Sequence, residues 1–238
     1  MTIESLNSAI IGVCEEIQKR QKTGKEWKKY GEFELLTELI FCIVSSQVKY
    51  EMAMAITDRI MQIETLNKIP SIGPCESICD HVYEALKSPI MVHQSDGSFA
   101  AQLPRFPKRI SKFVSDTIVE IYPSGRTIHA LLSCCSSPQQ ARKLLVEVVK
   151  GMGPKQASLF LRRINFSGEL AVIDTHIMDY IKRANGILIE PSMISKIKTY
   201  ESMETSYLDS IKSFGFSTGC VDLAMWITMR VGKQEALI

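Results

Sequence analysis

The sequence predicts an all-α fold, and two observations carry that expectation. Apolar residues recur at three- and four-residue spacing through most of the 238 positions, and strict alternation over strand lengths is scarce. The pattern predicts helices near 2–21, 33–46, 49–64, 75–87, 108–121, 127–133, 137–150, 155–165, 175–185, 192–213 and 219–231. Gly31 precedes the second helix, whose stretch from Leu35 to Val44 is apolar enough to be buried and ends at Ser45-Ser46-Gln47. Pro70 and Gly73-Pro74 separate the third helix from the fourth. Residues 88–107, with Pro89, Gly97, Pro104 and Pro107, predict a long loop or a short hairpin inserted between helices. Ser136-Ser137-Pro138 opens the helix that leads to Gly151-Met152-Gly153, and a short apolar run, Leu170 to Ile173, precedes a helix beginning at Thr175. No internal repeat or low-complexity tract is visible.

A hydrophobic content of 45% over this length suffices for one large domain or two small lobes, each with a buried core. The longest apolar runs, such as Leu39 to Val44, are far short of the roughly 20 residues that span a bilayer. Glu4 interrupts the start and no cationic segment precedes an apolar one, so no signal peptide is expected and a cytoplasmic location is the default. The seven cysteines are odd in number and mostly sit in apolar patterns, which suits reduced thiols. Cys75, Cys79 and His81 lack a second pair nearby, so no metal site is expected. A net charge of +2 does not by itself predict a polyanionic partner. Its distribution is more informative: Arg105, Lys108, Arg109 and Lys112 form one basic cluster, and Lys150, Lys155, Arg162 and Arg163 surround the paired glycines. Solvated helix faces account for either cluster taken alone.

The chemistry concentrates between residues 150 and 176. Gly151 and Gly153 flank one residue between two helical patterns, so the chain can reverse tightly and leave N–H groups exposed at a helix start, where a phosphate can sit. Lys155 follows one turn into the helix, where its stem can be buried while its amine reaches a cleft. An amine of this kind can attack C1′ of a deoxyribose, expel the base and leave a Schiff base, provided it is deprotonated near neutral pH. Asp174 stands where the next helix begins, a favoured N-cap position that explains it without chemistry and is compatible with a charge-stabilising role. Amine, carboxylate and phosphate-binding hairpin together point to chemistry on a nucleic-acid backbone.

Gly-x-Gly-x-Lys followed at this distance by Ala171-Val172-Ile173-Asp174-Thr175-His176 resembles the helix-hairpin-helix DNA glycosylases, specifically the 8-oxoguanine glycosylase/lyases of the small prokaryotic branch. The resemblance extends from roughly Phe33 to Lys233, with gaps, and implies a two-lobed helical fold over 1–238, with the hairpin and catalytic segment at about 137–185. It implies Lys155 as nucleophile and Asp174 as its electrostatic partner, and places His176 near the DNA backbone. Gln47 matches the place where the family fills the void left by an extruded nucleotide, although an ordinary helix-terminal glutamine competes with that role. Arg105-Phe106-Pro107-Lys108-Arg109 resembles a family segment R-F-x-x-x-R-A, incompletely because Ile110 follows the second arginine. Asp222-Leu223-Ala224-Met225-Trp226 resembles the helix that frames the extruded base, with Leu159 flooring the pocket; core packing of Trp226 is the competing explanation. The four-cysteine iron–sulfur cluster of some members is not expected, since only Cys220 lies in the last hundred residues.

The expectation is therefore a DNA glycosylase with abasic-site lyase activity on an oxidised purine, most simply 8-oxoguanine in double-stranded DNA, with no metal or organic cofactor. Two alternatives stay open: a nucleic-acid-binding module without lyase chemistry, and an enzyme of this fold turned to another modified base in an anti-phage system. The 88–107 insertion and the tail Gln234 to Ile238, longer than the family's, keep the second open.

Overall fold

The computed structural model describes residues 2–20, 24–72, 77–94, 96–190 and 192–234. In chain order the elements are α1 (Ile3–Arg20), α2 (Glu32–Val44), α3 (Tyr50–Met61), α4 (Glu64–Ile72), α5 (Ile78–Leu86), β1 (Ile90–His93), β2 (Phe99–Gln102), α6 (Pro107–Ile121), α7 (Ile128–Ser133), α8 (Pro138–Val148), α9 (Pro154–Arg163), α10 (Thr175–Asn185), α11 (Ile197–Ile211) and α12 (Thr218–Gln234). They form two compact units, one of residues 27–152 and one of residues 1–26 with 153–238.

The unit of residues 27–152 is built around α2. Leu35, Leu36 and every residue from Leu39 to Val44 are buried, so this helix is apolar on most of its circumference and accepts neighbours on several sides. Helices α3, α6 and α7 pack on it. Its start is fixed by two carboxylates. Glu34 accepts the Gly31 N–H at 2.6 Å, and Glu32 accepts the Tyr122 hydroxyl (2.8 Å) and the Ile128 and His129 N–H groups (2.6 and 3.2 Å). Glu32 thereby caps the opening of α7 as well as lying in the first turn of α2.

Two expectations are refined here. The predicted helix 49–64 ends at Met61, and a separate α4 follows; it begins only three residues later, so its pattern runs on from that of α3, and Pro70 inside it reads as a break. Gly73, Pro74 and Cys75 lie outside the described residues, as do residues 235–238 of the tail. The 88–107 insertion is an antiparallel hairpin, with Ile90 opposite Gln102 and His93 opposite Phe99. Ile90 and Val92 are buried, while Met91 and Phe99 are exposed, the period-two pattern of a half-buried strand pair.

In the other unit α1 lays Leu6, Ile10 and Cys14, one stripe of the helix, against α12. Ile177, Tyr180 and Ile181 of α10, Tyr200, Tyr207 and Ile211 of α11, and Val221, Ala224, Met225 and Met229 of α12 complete the core. The predicted helix 192–213 divides into a 3₁₀ turn, Met193–Ser195, and α11. Among the described residues no helix is long and apolar enough to cross a membrane, and no three His, Cys, Asp or Glu side chains are grouped as metal ligands.

The chain passes from one unit to the other at the paired glycines, and the two glycines are not equivalent. Gly151 has φ 77°, and a Cβ there would overlap the Phe113 ring. The preceding Lys150 N–H donates to Thr117 Oγ1 at 3.1 Å, which fixes the turn on α6. Gly153 is extended (φ −96°, ψ 178°), and a Cβ there would meet Gln156 Oε1 at an ordinary 3.5 Å. Gly151→Ala should therefore lower the unfolding free energy by more than the roughly 1–2 kcal/mol of left-handed strain alone, and Gly153→Ala by about 1 kcal/mol or less. Urea denaturation of the two variants checks this; equal losses would contradict it.

Candidate active site

The segment from Leu170 to Ile173 is buried and belongs to no helix or strand, so its amides must find other acceptors. Side chains supply them one by one. The Ala171 N–H donates to Glu204 Oε1 (2.8 Å), Val172 N–H to Asp222 Oδ2 (2.8 Å) and Ile173 N–H to the Tyr200 hydroxyl (3.0 Å), which itself donates to the Ala171 carbonyl (2.8 Å). Each acceptor comes from α11 or α12, and each spares a buried amide a penalty of about 1–3 kcal/mol.

This clamp delivers Asp174 to the start of α10. Its Oδ1 accepts the N–H groups of His176 and Ile177, both at 2.9 Å, so it is the N-cap that the sequence predicts. Among the described residues Oδ2 accepts no hydrogen bond, leaving one carboxylate oxygen for a ligand. His176, half-buried, follows in the same first turn.

Helix α9 of the same unit begins with Gly153 as N-cap and Pro154 as first residue, so Lys155 stands in its first turn. Ala157, Ser158, Phe160 and Leu161 face the interior. Lys155 and Leu159, four apart and half-buried, share another face. Lys155 makes no ion pair or hydrogen bond among the described residues. A half-buried amine with no internal partner is available to a ligand in a way that a surface ion pair is not. Two turns on, Arg162 Nη1 donates to Asp222 Oδ2, the oxygen that also accepts Val172 N–H.

The structure reassigns Asp222. It is 3% exposed, and both oxygens are committed inside the protein, Oδ1 to the Tyr207 hydroxyl (2.8 Å) and Oδ2 to Arg162 and Val172. Burial pushes its carboxyl above the ordinary value against the opposing Arg162 guanidinium, and burial also pushes the Tyr207 phenol up, keeping it a donor. Asp222 therefore offers nothing to a base, contrary to the expectation from its place beside Trp226. Trp226 itself is half-buried on α12, apart from the core residues Val221, Ala224, Met225 and Met229, with Arg230 Cζ 4.9 Å from its ring centre.

The other predicted contact residues lie in the unit of residues 27–152, and several converge. Ser46 and Val48, which bracket Gln47, line one cavity of about 140 Å³ with Arg105, Arg109, Phe113 and Gly151. Gln47 is exposed with φ 61°. Phe106, also at φ 61°, holds its ring beneath both guanidinium groups, 5.3 Å from Arg105 and 4.2 Å from Arg109. Two cations, a turn held in a costly conformation and the hairpin glycine thus share one concave surface.

Tyr200, Glu204 and Tyr207 have no place in the sequence-level site. The available signal is their three- and four-residue spacing: three polar side chains occupy the apolar face of α11.

A family model described as 8-oxoguanine DNA glycosylase matches residues 75–215. The chain is similar to the 8-oxoguanine DNA glycosylase/AP lyase of Korarchaeum cryptofilum, with 25% identity over 90% of this chain and 88% of that one. The crystal structure of Methanocaldococcus jannaschii 8-oxoguanine DNA glycosylase superposes with a TM-score of 0.70 at 22% identity, covering 97% of this chain and 94% of that one. The same archaeal enzyme in complex with a 15mer DNA containing 8-oxoguanine superposes with a TM-score of 0.66 at 22% identity, covering 93% and 97%. These two likenesses show the fold.

Tyr200→Phe removes the acceptor for Ile173 N–H and the donor to Ala171, and should cost about 1–3 kcal/mol of unfolding free energy. A loss under about 0.5 kcal/mol in urea denaturation, the range of ordinary surface changes, would show that the clamp does not bear on the segment.

Proposed function

The chain belongs to the family of 8-oxoguanine DNA glycosylases, and on that premise we propose that it excises 8-oxoguanine from double-stranded DNA and cleaves the strand at the resulting abasic site, with Lys155 as nucleophile. The observation that carries the proposal is the conjunction, in one compact unit, of an amine with no internal partner at the start of α9 and a carboxylate with one oxygen fixed and one open at the start of α10.

The neutral Lys155 Nζ attacks C1′ as the bond to N9 of the base breaks, and the departing base takes a proton. Positive charge that develops on the sugar is opposed by Asp174, whose orientation costs nothing at the moment of reaction because two backbone N–H groups already hold it. The secondary amine opens the sugar ring to a Schiff base. Loss of a C2′ proton then expels the 3′ phosphate by β-elimination, and water hydrolyses the imine to release Lys155. Every step is carried by side chains and water, and none requires a metal or organic cofactor.

We assign phosphate contacts to the hairpin amides at Gly151 and Gly153, to Arg105 and Arg109, and to His176 beside the α10 start. Gln47 fills the space the extruded nucleotide leaves, and Leu159 with Trp226 frames the base. The whole chain, 1–238, acts as one two-lobed enzyme in the cytoplasm.

Incubation with an 8-oxoguanine duplex and borohydride should trap the wild-type protein covalently, while Lys155→Gln binds the duplex without trapping, since an amide forms no imine. Asp174→Asn should slow excision by at least about tenfold without loss of stability, because asparagine caps a helix equally well. Wild-type protein that leaves 8-oxoguanine intact, or a Lys155→Gln protein that traps undiminished, would overturn the proposal.

A further inference from the structure

We infer that Asp222 is a positioning residue for Lys155 and Asp174; the inference rests on the roles just given to those two side chains. Its Oδ2 accepts two hydrogen bonds at once, from Arg162 of α9 and from the Val172 N–H. Arg162 lies two helical turns from Lys155, and Val172 is two residues before Asp174. One oxygen atom therefore joins the helix that carries the nucleophile to the segment that carries the carboxylate.

Both connections are stiff. On one side runs uninterrupted α9, on the other a buried segment whose neighbouring amides are held by Glu204 and Tyr200. A shift of either bond at Oδ2 is transmitted to one member of the pair and not to the other. Misplacement of reacting groups by about 1 Å costs on the order of a hundredfold in rate, so a joint at this point bears on chemistry and not only on folding.

The alternative is that the Arg162–Asp222 pair merely stabilises the fold. A buried ion pair is a poor stabiliser, because two ions lose water, and well-packed apolar residues in its place are often neutral or better. The Asp222 side chain is 1% exposed and that of Arg162 22%. What apolar packing does not supply is direction: two donors from two separate elements aimed at one atom set a separation, which a hydrophobic contact leaves loose. Asp222 does not reach substrate; it acts through the two elements it joins.

The test is a double-mutant cycle on the full chain, read by single-turnover excision from an 8-oxoguanine duplex, with DNA affinity and melting temperature measured alongside. Asp222→Asn should slow excision by about thirtyfold or more with duplex affinity changed less than about threefold. Added to Asp174→Asn, it should cost less than about threefold further, since a misplaced carboxylate and a missing charge forfeit the same interaction. Tyr207→Phe, which leaves both bonds to Oδ2, should lower the melting temperature while excision stays within about threefold. If Asp222→Asn does not fold, Arg162→Lys takes its place in the cycle with the same expectation, because it keeps the charge and loses the aimed guanidinium. Folded Asp222→Asn or Arg162→Lys protein with wild-type excision, or an effect that multiplies undiminished on Asp174→Asn, overturns the inference. Wild-type excision by Asp174→Asn overturns the underlying assignment of roles instead, so the two failures are distinguishable.

Discussion

Three consecutive amides, those of Ala171, Val172 and Ile173, end on three buried side chains, and the candidate chemistry hangs on that arrangement. A buried segment outside any helix must satisfy its backbone elsewhere, most often in a sheet. Here the surroundings are helices, which have no ladder to offer, so Glu204, Asp222 and Tyr200 act as the missing strand. The polar atoms are tolerable inside the core because each is used, and an unused one would cost as much as a lost hydrogen bond. The outcome is a segment with little freedom to slide or twist. Asp174 leaves it already pointed at the first turn of α10, and the two N–H groups it caps fix the carboxylate in turn.

The unit of residues 27–152 uses a different device. Gln47 and Phe106 both adopt φ 61°, a region in which a side chain normally costs about 1–2 kcal/mol. Each sits where a rigid element starts or stops, Gln47 just after the buried helix α2 and Phe106 at the start of α6. The well-packed helix over-determines the turn and holds it in a conformation it would not choose, which is the usual circumstance of strained residues at functional sites. The consequence at 106 is concrete: the ring lies beneath two guanidinium groups and keeps them together at the rim of the cavity that Gly151 also lines.

Much of this was legible in the sequence, for identifiable reasons. Helices such as α1, α6 and α10 bury one stripe, so their apolar spacing survives unbroken, and Asp174 and Ser137 stand at the caps where the pattern starts. The hairpin at 88–107 was visible as punctuation only, because each strand is four residues long and shows two periods at most. Helix α4 starts three residues after α3 ends, so the two patterns run together, and Pro70 inside it reads as a helix breaker. The clamp was hidden for the opposite reason: Tyr200, Glu204 and Tyr207 interrupt an apolar face, and a sequence does not show which backbone a buried hydroxyl or carboxylate will meet. Asp222 was misplaced because its neighbour Trp226 lies one helical turn away and half-exposed, whereas Asp222 itself turns inward to Arg162. The equivalence of the two hairpin glycines was also apparent only in one dimension; in three, Gly151 alone needs the missing side chain.

The identity of the nucleophile is the point on which the rest turns, and it can be read as a covalent bond. Borohydride reduction of the enzyme on an 8-oxoguanine duplex, followed by nuclease trimming, trypsin digestion and mass spectrometry, locates the carbon–nitrogen bond that the Schiff base leaves behind. The expected product is a peptide running from Gly151 to Arg162, uncut after Lys155 and carrying the sugar remnant on that residue. A remnant on Lys150 or any other lysine, with Lys155 unmodified, would contradict the account.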